Sequence, residues 1–197
     1  MSERPDFVVE FVSQWGTSCT GDGEFYDPRG VAVASDGSVY VSDYRNHRIQ
    51  KFTSEGLFVS QWGTEGTGDG EFRFPEGVAA APNGSVYVSD RRNHRIQKFT
   101  SEGVLVSQWG TVGTGDGEFR FPRGVAVASD GSVYVVDLYN DRIQKFTSEG
   151  VFVSKWGTGG TSDGEFDGPT FVAEAPDGSV YVADSANHRI QKFAPRP

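Results

Sequence analysis

The sequence has a single cysteine, Cys19. One thiol cannot close an internal disulfide, and no Cys-x-x-Cys pair points to zinc. No run approaches the roughly 18 apolar residues of a membrane-spanning helix, so no membrane contact is expected. The opening residues Met1–Phe7 lack a basic stretch followed by an apolar one, so no secretory leader is expected and a cytoplasmic location is. Positive charge is also short: 18 Lys+Arg stand against 27 Asp+Glu, a net charge of −9. A sequence-independent grip on nucleic-acid phosphates needs a basic face, so that class of partner is not expected. Gly-x-Ser-x-Gly and His-Glu-x-x-His are both missing, and with them the common hydrolase signatures. What is plentiful is glycine, at 26 residues, and aromatic side chains, at 13% of the chain. That aromatic content is too high for a disordered chain, and 197 residues suffice for one sizeable core.

The chain repeats itself. Gln14-Trp15-Gly16-Thr17 recurs from Gln61 and Gln108, and as Lys155-Trp156-Gly157-Thr158, each 47 residues after the last. Asp22-Gly23-Glu24-Phe25 and Arg48-Ile49-Gln50-Lys51-Phe52 recur at the same spacing. Between the units starting at Gln61 and Gln108, 37 of 47 positions are identical. No linker separates the units, so residues 1–197 form a single domain, with 1–6 and 194–197 as terminal tails.

Each unit reads as four short strands, a to d. In the first, Val31–Ala34 runs into the hairpin sequence Ser35-Asp36-Gly37-Ser38 and then Val39–Ser42. The turn Tyr44–His47 leads to Ile49–Phe52, and Thr53–Gly56 turns into Leu57–Trp62. Helical periodicity is absent. Four antiparallel strands repeated at this period predict an all-β propeller of four four-stranded blades. Pro28-Arg29-Gly30-Val31, Asp36-Gly37 and Asn46-His47-Arg48-Ile49 resemble the pattern of the NHL repeat, in register over residues 7–193. The resemblance departs at Asp141, where His is expected, and at Phe171, where Gly is. Proteins of this family usually have six blades. No Cys/His cluster of the RING type accompanies these repeats.

Phe7–Trp15 aligns with Ser54–Trp62, a strand d without its own a, b and c. Arg189–Phe193 is a strand c with no strand d behind it. The expectation is a ring closed by the N-terminal strand completing the last blade, which removes an exposed edge. A monomer is expected, and a ring shared between two chains is the other way to satisfy the same ends.

Several residues invite chemistry. His47, His94 and His188 share one repeat position, but strands step outward by about 4.8 Å, so turn residues of different blades cannot meet at one ion. No metal and no cofactor is expected. The pairs Asp43/Arg48, Asp90/Arg95, Asp137/Arg142 and Asp184/Arg189 have the spacing of cross-hairpin ion pairs, and four equivalent copies imply a structural tie. Gly21–Phe25 and its copies lack both the calcium-loop and the phosphate-loop spacing. Glu174 stands alone where its siblings are Val33, Ala80 and Val127.

The units differ mainly in two loops. Tyr44-Arg45 becomes Arg91-Arg92, Leu138-Tyr139 and Ser185-Ala186, and Tyr26-Asp27 becomes Arg73-Phe74, Arg120-Phe121 and Asp167-Gly168. The b–c turns and d–a connections emerge on one face. Tyr26, Tyr44, Arg45, Arg73, Arg91, Arg92, Arg120, Leu138 and Tyr139 are therefore the candidate binding residues, with no catalytic residue assigned. The expected function is non-catalytic recognition of a protein or peptide on that face. The alternatives are a lyase- or lactonase-like propeller fragment, a single-stranded RNA binder using the rim arginines with Tyr26, Tyr44 and Tyr139, and an amplified or designed array without an evolved ligand.

Overall fold

Strands that alternate apolar and polar side chains bury little alone, so each unit must pair edge to edge and then stack face to face. The computed structural model describes residues 9–194. The first blade is β1 (Pro28–Val33), β2 (Val39–Asp43), β3 (Arg48–Phe52) and β4 (Phe58–Trp62), antiparallel in that order. The second is β5 (Pro75–Ala80), β6 (Val86–Asp90), β7 (Arg95–Phe99) and β8 (Leu105–Trp109). The third is β9 (Pro122–Val127), β10 (Val133–Asp137), β11 (Arg142–Phe146) and β12 (Phe152–Trp156). The last has β13 (Pro169–Glu174), β14 (Val180–Asp184) and β15 (Arg189–Phe193). Strand a starts earlier than its apolar run suggests. Pro28 already pairs with Asp43, and the ladder is irregular up to Val31, which suits a residue with no N–H to offer.

The core lies between blades rather than within them. Tyr40 and Ile49 of the first blade pack with Phe72, Val78, Val88 and Phe99 of the second. Trp62, at the end of β4, meets Phe99 of the next blade at 5.7 Å between ring centroids, and Trp109 meets Phe146 in the same way. Two kinds of glycine make this stacking possible. Gly103 has φ +81°, and a Cβ there would lie 2.7 Å from the Trp62 ring. Gly30, Gly77 and Gly124 let the innermost strands approach: a Cβ on Gly77 would lie 2.4 Å from the Arg123 carbonyl of the next blade.

The four-bladed reading holds for the sheets, but two parts of it are corrected. The last blade has three strands, and the N-terminal segment does not complete it. Phe7 and Val8 of the expected strand lie outside the described residues, and residues 9–15 join no sheet. Instead, Trp15 sits on the first blade, 5.9 Å from Phe52. The physical reason is spacing. The innermost strands pack in the sequence β1, β5, β9, β13. Val31 and Val33 at one end are each 67% exposed, and Phe171 at the other is 54% exposed. The array is an open arc with two unlike ends.

Candidate functional site

Each blade holds its loops through a buried carboxylate at the end of strand b. Asp90 is fully buried, and its Oδ1 accepts the Arg73 N–H at 2.7 Å. Its Oδ2 accepts from Asn93, Arg95 Nε and Gln97 at 2.9, 2.8 and 3.1 Å. Arg95 then donates to the carbonyls of Thr67, Gly68 and Glu71. One ion pair thus fixes the whole connection from the preceding blade. The same network recurs around Asp43, Asp137 and Asp184, as a structural tie. Burial pushes the Asp90 and Asp137 carboxyls up, against the hydrogen bonds that pull them down. At the exposed last blade the burial of Asp184 also acts upward, but its hydrogen bonds prevail and hold it below the ordinary carboxylate range.

The histidines are joints between blades. The turns Tyr44–Asn46 and Arg91–Asn93 are single 3-10 turns, and His47 and His94 follow in the left-handed region, each at φ 55°. That conformation aims each ring at the next blade. His47 Nδ1 accepts the Phe74 N–H at 3.1 Å, and His94 Nδ1 accepts that of Phe121 at 3.1 Å. Asp141 takes the same part, its Oδ1 accepting the Gly168 N–H at 3.0 Å. The departure at Asp141 therefore conserves the chemistry: a short acceptor in a left-handed turn. Glu174 is a joint too, its Oε2 accepting the Ser129 N–H of the third blade at 3.0 Å. Among the described residues, no group of three or more His, Cys, Asp or Glu side chains is gathered as metal ligands would be.

The divergent loops do come together on one face. Arg29, Glu76, Arg123 and Thr170 occupy one repeat position at the start of the innermost strands, around the axis. Glu76 is buried. Arg123 Nε donates to its Oε1, while Arg91 Nε lies 3.1 Å from its Oε2 without pointing at it, a coulombic contact rather than a hydrogen bond. Arg91 Nη1 donates to the Tyr44 hydroxyl at 2.8 Å, tying the first two blades at the rim. Arg29 lies over the Tyr44 ring at 4.7 Å and Arg45 over Tyr26 at 5.3 Å, both paired with Asp27. Leu138 and Tyr44 are buried, whereas Tyr139 is 57% exposed and stands edge-on to Phe121. Glu76 and Thr170 escaped the sequence reading. Their signal was the variable second residue of the Pro-x-Gly-Val opening, which changes from unit to unit as sharply as the loops do.

Arg73, Arg92 and Arg120 are exposed, and no carboxylate among the described residues pairs with them. A groove of about 360 Å³ runs between the second and third blades, lined by Glu65, Arg73, Phe74, Arg92, His94 and Phe121. Arg92 lies 4.6 Å above the Phe74 ring. Burial lowers the His94 pKa, so at neutral pH this ring adds no charge to the groove. The floor is aromatic, and the walls carry two guanidiniums and the Glu65 carboxylate.

Comparison with known proteins adds three findings. The family model described as NHL repeat matches residues 25–52, 72–99, 119–146 and 166–193. The B-box type zinc finger protein ncl-1 of Caenorhabditis elegans is 51% identical over 37 residues, 19% of this chain and 4% of that protein. Among solved structures, a streptogramin B lyase superposes with a TM-score of 0.65 at 15% identity, covering 85% of this chain and 54% of that one. A gluconolactonase from Xanthomonas campestris superposes at 0.65 and 16% identity, covering 86% and 59%. The chain spans about half the length of each of these structures. At such identities the likeness is one of fold. It nonetheless corrects the expectation of a chain with no enzymatic role, because a lyase and a lactonase are built on this same propeller architecture.

Proposed function

The chain belongs to the NHL-repeat family, and from that premise we propose that the face bearing the b–c turns and d–a connections recognises an acidic peptide segment of a partner protein. One observation carries the reading: Arg73 and Arg92, unpaired among the described residues, border an aromatic groove in a chain whose net charge is −9. The groove's two guanidiniums outnumber its one carboxylate, Glu65, which pairs with neither of them, and an incoming carboxylate supplies their missing partner. Phe74 and Phe121 offer the apolar contact that gives a peptide more than a point charge to hold. The probe is a labelled peptide rich in Asp and Glu with one aromatic residue, followed by fluorescence anisotropy. Arg73→Ala with Arg92→Ala is expected to weaken binding at least about tenfold, equivalent to about 1.4 kcal/mol, while thermal unfolding is unchanged. Absent binding to the wild type, or equal binding of a neutral peptide, overturns the reading.

A second reading, a lyase- or lactonase-type reaction at the axial cluster, is favoured by the shared fold and by the buried Glu76 between Arg91 and Arg123. Its test is acid release from gluconolactone above the uncatalysed background, abolished in Glu76→Gln.

A further inference from the structure

We propose that two copies of this chain close head to tail into one ring, each lending residues 11–15 as the missing outer strand of the other's last blade. The proposal starts from an edge. β15 has no outer neighbour among the described residues, and beside it runs a groove of about 560 Å³ lined in part by Tyr134, Trp156, Val180 and Phe193. In the other blades strand d covers that place. Its first residue, Phe58 or Phe152, stands on the last residue of strand c at 6.1 or 6.0 Å between ring centroids. Phe11-Val12-Ser13-Gln14-Trp15 repeats β4 residue for residue. Set in the register of β3 with β4, it pairs Phe11 with Phe193, Ser13 with Lys192 and Trp15 with Ile190. Phe11 on the strand lent is 80% exposed, and Ile190 on the edge that would receive Trp15 is 66% exposed, so each side of the joint stands uncovered.

The joints tell the same story. His47, His94 and Asp141 each accept an N–H from the following blade, 27 residues on. Among the described residues His188 and the Asp27 N–H make no such bond, and they are the acceptor and donor that the two ends would bring together. The Tyr40 and Tyr87 hydroxyls donate to the Ser101 and Ser148 carbonyls of the next blade. The corresponding pair for the exposed Tyr181 is the Ser54 carbonyl of a first blade.

One chain cannot join its own ends at the present spacing, because its four blades fan out as a block that matches about half of larger propellers. A second copy related by a twofold axis supplies the other half and satisfies both edges at once. Phe171 marks the seam. Where its siblings are glycines that admit the next blade's backbone, its side chain holds the innermost strands apart, so the outer strand pairing carries the joint.

Light scattering across a concentration series is expected to give twice the 21.4 kDa chain mass. In the Cys19→Ser background, Ser13→Cys with Lys192→Cys is expected to oxidise to a covalent dimer on a non-reducing gel. Phe171→Gly, which restores the repeat residue, is expected to shift the dimer's dissociation to lower concentration. A monomer at every concentration overturns the proposal. So does a disulfide that forms within one chain, which would mean self-closure, and so does a ladder of larger masses, which would mean an open filament. Loss of peptide binding by the arginine variants leaves this mass unaltered, so the two readings fail separately.

Discussion

Asp90→Ala is expected to destabilise the fold by about 3–5 kcal/mol, the cost of leaving a buried ionic partner uncompensated. The carboxylate is fully buried and accepts four hydrogen bonds. Alanine leaves the Arg95 guanidinium without its counter-ion and frees the Arg73 N–H, so the connection from Thr67 to Arg73 loses its anchor from both sides. Chemical denaturation followed by tryptophan fluorescence reads the change. Asp90→Asn, which loses the charge but keeps one oxygen acceptor for these donors, is expected to fall between. An unfolding midpoint equal to that of the wild type would show that the network is ornamental.

The second large effect belongs to an aromatic side chain. Phe146 is fully buried between the second and third blades, with Trp109, Phe119 and Phe152 at 5.7, 5.6 and 6.0 Å between centroids. Phe146→Ala removes the ring on which three others rest and is expected to cost about 3–5 kcal/mol, through lost burial and a cavity the rigid sheets cannot collapse into. Phe193→Ala, the same substitution on the partly exposed last blade, is expected to cost less in the dissociated chain. Equal losses at the two positions would mean that interblade packing is not what stabilises the array.

Strand identity was legible in the residues because each strand is short, β-rich and bounded by Gly-containing turns. Val39–Asp43 and Phe58–Trp62 lie within a residue of where their sequence puts them. The ring was not legible. Phe11–Trp15 repeats the sequence of a strand d, yet residues 9–15 join no sheet, because where the ends of the array lie depends on the angle between blades. That angle is set by contacts such as Gly77 against the Arg123 carbonyl, which no local pattern records. The same holds for the face. The variable loops showed only where the units disagree. They did not show that Tyr44 spends its hydroxyl on Arg91, or that Glu76 sits behind both, because those partners come from different blades.

The exchange of histidine for aspartate at the third joint makes the second and third connections respond differently to acid. His94 can accept the Phe121 N–H only through an unprotonated Nδ1, and burial, which lowers its pKa, favours the same neutral ring. Stability held there is complete above the unfolded imidazole value of about 6.5 and drains away as the medium becomes more acidic than that. A carboxyl at Asp141 keeps an oxygen lone pair for Gly168 whether ionised or not. Mild acidification should therefore loosen the hinge between the second and third blades while the hinge between the third and fourth stays fastened, giving an otherwise repetitive object a built-in direction of opening.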